Sequence, residues 1–295
     1  MKKLRTFTIL LGVLLVASIT SCTKDKAGVY SPKKKIQRTY ASSSNVNKYL
    51  TQVWNWNDKL LESVNYYSSG GNLSYTENFS YEKGRLTRVD DYLNSEYTTY
   101  DYDGKNLKSA NYYYKSSVEL TTTYSYENKK LSKMTETIYD AKKSGGERHL
   151  MNSFLPFPSE ISEVMYKYAE KAVANNLEKD LLVINWQFTW TGDNITRIVG
   201  SAESEVITIS LQYDDKVNPL KGYLSLYSLD LQESYEEGNI LYSKNNTTQI
   251  MWTETDGDNE IVNFIYQYDN DNYPTMRITH WASEDDYQYS VYYEY

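Results

Sequence analysis

A short unit recurs along this chain and sets what it can fold into. It consists of two aromatics two apart, an acidic residue, a Gly or Asn, and then an apolar residue. The clearest copies are Phe79-Ser80-Tyr81-Glu82-Lys83-Gly84-Arg85-Leu86, Tyr100-Asp101-Tyr102-Asp103-Gly104-Lys105-Asn106-Leu107 and Tyr124-Ser125-Tyr126-Glu127-Asn128-Lys129-Lys130-Leu131. Degenerate copies stand at Trp54-Asn55-Trp56, Phe188-Thr189-Trp190-Thr191-Gly192 and Tyr266-Gln267-Tyr268-Asp269-Asn270. Aromatics two apart share one face of a strand. An acidic residue followed by Gly or Asn supplies the positive-φ positions of a tight turn. The apolar residue opens a return strand. Each unit is therefore predicted to be a β-hairpin, and successive units a meander.

Composition agrees. The chain holds 32 Tyr against 6 Phe, 6 Trp and 13 Gly, with a mean hydropathy of −0.68. Tyrosine favours pleated, half-buried surfaces and keeps its hydroxyl near water or a polar partner. The expected fold is mainly β: an extended antiparallel meander of repeated hairpins forming a curved open sheet. One segment breaks the pattern. Around 159–179, Ile161, Val164, Met165, Tyr168, Ala172 and Val173 fall at helical spacing, which predicts one amphipathic helix packed on the sheet.

The first residues concern address. Met1-Lys2-Lys3-Leu4-Arg5 is cationic, the stretch to Ala17 is largely apolar, and Ile19-Thr20-Ser21-Cys22 follows. That order reads as a secretory signal peptide with an apolar core too short to span a bilayer. Ile-Thr-Ser-Cys resembles the lipobox of lipoprotein signal peptides. The resemblance implies a signal over 1–21, cleavage before Cys22 and acylation of that cysteine. Residues 22–45, rich in Lys and Ser, then read as the acylated N-terminus and a flexible tether, and 46–295 as the repeat domain. Thr23-Lys24-Asp25-Lys26 faintly resembles a surface-export signal, so the expected location is the outer membrane, on the cell-surface or periplasmic face. Strands such as Glu96–Tyr102 lack the continuous apolar face of a transmembrane barrel.

The tyrosine unit resembles the tyrosine-aspartate (YD, RHS-type) repeats of large secreted shells, and more closely a group of Bacteroidota lipoproteins of unknown function. Tyr213-Asp214-Asp215-Lys216, Leu241-Tyr242-Ser243-Lys244 and Tyr268–Pro274 match that group's later segments. The resemblance implies an envelope lipoprotein and brings no activity with it.

Chemistry is sparse. Cys22 is the sole cysteine, so with it acylated no thiol remains for a disulfide or a nucleophile. His149 and His280 form no metal-spaced pair, no nucleophile elbow or phosphate loop appears, and no catalytic residue, metal or cofactor is expected. Asp256–Glu260, Asp269–Asn272 and Glu284–Asp286 read as hairpin turns rather than calcium loops. The formal charge of −8 argues against nucleic acid. Lys33-Lys34-Lys35 is the one basic run; it reads as part of a solvated tether, with anionic lipid head groups as its other partner. Remaining candidates are aromatic platforms for a glycan, envelope or host protein, on Tyr112, Tyr114, Tyr287 and Tyr289; the same clusters also read as cross-strand ladders. The functional expectation is a lipid-anchored, non-enzymatic binding module. A periplasmic structural or assembly lipoprotein and, further off, a carboxylate hydrolase are the alternatives.

Overall fold

The computed structural model describes residues 26–44, 46–91, 95–139, 168, 181–202, 205–224, 242–253, 259–282 and 288–295. The first half of the fold comprises β1 (Arg38–Ser43), β2 (Val46–Asn57), β3 (Leu60–Tyr67), β4 (Leu73–Glu82), β5 (Arg85–Asp91), β6 (Glu96–Asp103), β7 (Asn106–Tyr114) and β8 (Ser117–Glu127). The second comprises β9 (Lys130–Tyr139), β10 (Leu181–Thr191), β11 (Asn194–Ala202), β12 (Glu205–Tyr213), β13 (Thr247–Thr253), β14 (Asn259–Tyr268), β15 (Pro274–Trp281) and β16 (Gln288–Glu294). Each strand pairs antiparallel with its sequence neighbour, and β1 pairs with β16 from Arg38↔Glu294 to Ser43↔Tyr289. The sheet is a closed barrel.

That closure corrects the open curved sheet expected from sequence. The hairpin units themselves fold as read, but an antiparallel meander of this length removes both exposed edges by joining them. The apolar surface is buried inside the closed barrel rather than on one face of an open sheet, and Tyr168, the one described residue of the predicted helix, is helical and packs on Trp186. The segment 159–179 lies outside the described residues except for Tyr168.

A regular device shapes the barrel. In six hairpins the register slips just before the second aromatic: at Asn55/Trp56, Ser80/Tyr81, Asp101/Tyr102, Ser125/Tyr126, Thr189/Trp190 and Gln267/Tyr268. The extra residue lies on the return strand. Leu86 and Val89 are both buried although three apart, with Thr87 and Arg88 between them on the outside. Leu61/Val64, Leu107/Ala110, Leu131/Met134 and Ile195/Ile198 repeat the spacing. Bulges of this kind bend a strand and strengthen its twist, which curls a meander toward closure. The tight turns take positive φ where the sequence provides for it, as at Gly84 (φ 74), Gly104 (φ 56) and Asn128 (φ 51).

Around the hairpin-turn end runs a ring of hydrogen bonds. In several hairpins an aromatic near the end of the outgoing strand donates to the main-chain carbonyl at or near the start of the preceding return strand. Tyr81 reaches Leu61 O (2.9 Å), Tyr102 reaches Leu86 O (2.6 Å), Trp190 Nε1 reaches Leu131 O (2.7 Å), and Tyr213 reaches Ile195 O (2.5 Å). Trp56 to Ile36, Tyr266 to Thr247 and Tyr295 to Pro274 extend the ring. Burial raises the phenol pKa of Tyr81, Tyr102, Tyr213 and Tyr295. These groups stay protonated donors throughout the neutral range.

The two faces differ in character. Inside are Trp54, Val64, Phe79, Val89, Tyr100, Leu120, Ile138, Trp186, Ile209 and Trp252, all buried. Outside, neighbouring strands exchange polar contacts: Thr76 donates to Asn65 (2.9 Å), Thr121 to Asn111 (2.9 Å), Thr135 to Asn185 (3.0 Å), and Gln212 to Gln249 and on to Asn263. Arg88, Lys133 and Arg197 sit near mid-strand on this outer face, next to buried Val89, Met134 and Ile198. In lipid each such cation would cost roughly 2–4 kcal/mol at the midplane. Three together approach the whole stability of an ordinary domain, about 5–15 kcal/mol. The outer face combines these cations and polar pairs with exposed Val183, Val206, Met251 and Ile265.

Candidate functional site

A sixteen-stranded barrel ordinarily leaves an aqueous channel. Here the hairpin-turn end is occupied. Residues 26–37, which sequence reading assigned to a tether, are instead a strap across that end. Ala27 N donates to Lys105 O (2.9 Å), Leu86 N to Gly28 O (2.8 Å) and Trp54 N to Gln37 O (2.9 Å). Arg85 clamps it, with Nε on Ala27 O and an Nη on Gly104 O, both at 2.8 Å, and its guanidinium 3.6 Å from the centroid of the Tyr102 ring. Tyr30 and Ile36 are buried. The tether assignment failed because two apolar side chains outweigh a Lys- and Ser-rich average once a barrel mouth is available to receive them. Lys34 pairs with Asp269 and Asp271, and Lys35 lies over the Trp56 ring and donates to Asp58 O.

The connection after β12 adds a plug. Asn218 turns it by accepting from Leu220 N (2.9 Å), and Tyr30 donates to Pro219 O (2.9 Å). Tyr223 then reaches into the lumen, its ring 4.9 Å from Trp54, 5.4 Å from Tyr30 and 6.0 Å from Phe79. Its hydroxyl donates to Glu77 Oε2 (3.0 Å), which also accepts from Tyr66 (3.0 Å). A recess of about 210 Å³, counting the solvent at its mouth, lies between strap and plug, lined by Tyr30, Leu61, Phe79, Leu86 and Tyr223 among others. Farther round, Tyr168 sits edge-on to Trp186 at 5.8 Å and donates to Glu205 O (2.6 Å); burial pushes its phenol up to about 12.

The interior also holds ionisable side chains. Glu77, Asp91 and Glu96 are direct cross-strand partners on β4, β5 and β6, all facing in and all buried. Glu136 accepts from Trp186 Nε1 (3.0 Å), and the buried Arg277 lies 5.4 Å from the Phe264 ring centroid. Sequence reading passed over these groups. Their signal was positional: Glu77 lies two before Phe79 and four before Tyr81, on the aromatic face of its strand. Among the described residues no set of three His, Cys, Asp or Glu is placed to hold a metal ion.

The sequence-chosen ligand candidates do not gather into a platform. Tyr112 and Tyr289 face the core and are buried, Tyr114 is half-buried under Lys115, and Tyr287 lies outside the described residues, as does Cys22. Outward aromatic pairs are found elsewhere: Tyr40 and Tyr292, register partners on β1 and β16, lie under Lys48. Tyr97 and Tyr113, register partners on β6 and β7, stack with centroids 4.5 Å apart and planes 10° apart, and Arg88 covers Tyr97 at 3.7 Å. His280 stands on the outer face opposite Asn263 and Gln288. Asp269 closes its turn as read, accepting from Asp271 N and Tyr273 N. The Asp256 and Asp286 turns fall almost wholly outside the described residues.

No protein-family model matches the chain, and no curated protein is significantly similar to it. Solved structures do match. A porin-like protein from Bacteroides uniformis superposes with a TM-score of 0.50 at 14% identity, over 89% of this chain and 98% of that one. A porin-like protein from Bacteroides vulgatus gives a TM-score of 0.49 at 8% identity, over 88% of this chain and 98% of that one. The first likeness places the chain in a porin-like barrel fold and goes no further than fold.

Proposed function

We propose that this chain is an envelope lipoprotein held to the outer membrane by acyl chains on Cys22, and that its barrel is a water-soluble, non-enzymatic binding module rather than a pore. The observation that carries the reading is the contrast between the two faces. The apolar side chains point into a lumen crossed by Tyr223, while the outer surface carries Arg88, Lys133, Arg197 and a web of Asn, Thr and Gln. Cations on the outer wall disfavour burial in lipid, so attachment falls to the signal-like N-terminus, and one acyl chain alone would hold it only marginally. The porin-like fold of a Bacteroides protein is consistent with an envelope setting. The narrower form of the proposal is that a glycan or protein ligand docks on the outward row Arg88, Tyr97 and Tyr113, where Tyr97 is held between the guanidinium and its partner ring and the phenols and guanidinium offer donors.

Two measurements test it. Palmitate labelling should mark the wild-type chain and not Cys22→Ala. The chain expressed from residue 23 should stay in the supernatant without detergent and give no conductance in planar bilayers. Stepwise conductance, or aggregation relieved only by detergent, would overturn the soluble-barrel reading. For the narrower form, a glycan or partner retained by the wild type should be lost with Tyr97→Ala, and its retention would remove that surface from consideration.

A further inference from the structure

Resting on acylation of Cys22, we infer that the strap and four hairpin turns form a face that lies flat on anionic lipid head groups, so that the barrel stands on its hairpin end instead of swinging on a tether. The length of chain is the first argument. Ala27 is pinned to Lys105 O at 2.9 Å, and five residue steps back to Cys22 reach at most roughly 17 Å fully extended. A membrane-embedded acyl group at Cys22 therefore holds the hairpin end close to the surface it is anchored in.

Charge is the second argument, and it is independent of the first. The strap 26–37 and the turns 57–60, 82–85, 103–106 and 127–130 carry ten Lys or Arg against four Asp or Glu. With Asp269 and Asp271, which pair with Lys34, the sum is +4; cleavage before Cys22 removes Lys2, Lys3 and Arg5 and leaves a chain of −11, so everything else carries −15. Lys34 is neutralised by Asp269 and Asp271; Lys59, Lys83, Lys105 and Lys129 are exposed at the turn tips. The cationic region sits at the end the anchor reaches, on a molecule otherwise repelled by an anionic surface. Each Lys or Arg near such a surface contributes about 1 kcal/mol, and salt screens it within a Debye length.

The test uses the acylated, full-length mature protein in vesicles of phosphatidylcholine with phosphatidylglycerol, head groups carrying a spin label. A fluorophore goes on Asn57→Cys at the hairpin end or on Ser69→Cys at the other end, roughly 25 Å along the strands. Quenching should be strong at position 57 and weak at 69. It should fall at 57 in pure phosphatidylcholine, in high salt, and in Lys59→Glu/Lys83→Glu/Lys129→Glu. At about fivefold per lysine, the triple variant should lower the ratio of docked to free barrel on the order of a hundredfold in low salt. Equal quenching at the two positions, or quenching at 57 indifferent to charge and lipid, would overturn the inference. Co-sedimentation of the triple variant with vesicles in high salt keeps the two ideas apart: its persistence shows the anchor intact, and its loss in the wild type means that Cys22 is not acylated.

Discussion

Gly200 is the position at which the packing of this barrel can be tested most sharply. It lies on β11 opposite Trp186 in register, with ordinary backbone angles, and the indole lies across it. A Cβ added there would fall within 2.7 Å of three indole carbons. Trp186 is fully buried and donates to the equally buried Glu136 at 3.0 Å, so the ring has nowhere to retreat without breaking that bond. Gly200→Ala should therefore combine an overpacking cost of about 1–3 kcal/mol with loss of a hydrogen bond to a buried carboxyl acceptor, about 1–3 kcal/mol. At roughly 2–4 °C per kcal/mol for a chain of this size, Tm should drop by on the order of 10–15 °C. Thermal denaturation by circular dichroism reads it directly. Gly70→Ala is the control, because its nearest neighbour to an added Cβ is 3.6 Å away, and it should move Tm by a degree or two. Trp186→Leu, costly alone, should recover part of the loss in the Gly200→Ala background, with a coupling above about 1 kcal/mol. A Gly200→Ala protein as stable as wild type, or strict additivity in the double variant, would refute the account of how this lumen is filled.

Other parts of the fold give their own expectations. Arg85→Ala removes the clamp on Ala27 and Gly104 and should free the strap, so that trypsin cuts at Lys33–Lys35 faster while the near-ultraviolet spectrum of the barrel persists; unchanged cleavage would mean that the backbone bonds of the strap suffice. Tyr223→Phe deletes one of two phenol donors to Glu77 and should cost about 1–3 kcal/mol in urea denaturation. Tyr223→Ala also empties the space between Trp54, Tyr30 and Phe79 and should cost about 3–5 kcal/mol; equal effects of the two would discount the hydrogen bond. Alkali should unfold the protein. Tyr81, Tyr102, Tyr213 and Tyr295 have phenol pKa values raised by burial, so above pH 10 the unfolded chain loses protons that the folded one keeps. Stability is then fully present below pH 9 or so and falls at about 1.4 kcal/mol per pH unit for each phenol, near 5 kcal/mol between pH 10 and 11 for the four. A stability profile flat to pH 11 would contradict their burial.

Much of the local structure was legible. Phe79–Leu86 states its hairpin in its own residues, because Glu82-Lys83-Gly84 supplies turn chemistry between an aromatic face and an apolar return. The strap was not legible: Tyr30 and Ile36 sit among lysines and serines, and only the barrel mouth makes them core. Glu77 and Glu136 could have been placed by strand alternation but not paired, since their partners Tyr223 and Trp186 lie 146 and 50 residues away. The joining of β1 to β16 links Arg38 to Glu294, and no local pattern encodes a contact at that separation.

One signal of closure did lie in the sequence. In a flat strand with period-two alternation, apolar residues three apart fall on opposite faces. Leu86 and Val89, Leu107 and Ala110, Leu131 and Met134, and Ile195 and Ile198 are all three apart, and all are buried together. Each pair demands an extra residue between, and a bulge at the same place in six hairpins bends all six the same way. A meander bent repeatedly in one sense curls, and its two ends meet. The same bulge decides which side faces water. Without it, Val89 and its counterparts would point outward, and Arg88, Lys133 and Arg197 would point into the lumen. Closure and the outward placing of Arg88, Lys133 and Arg197 thus have one cause in the sequence.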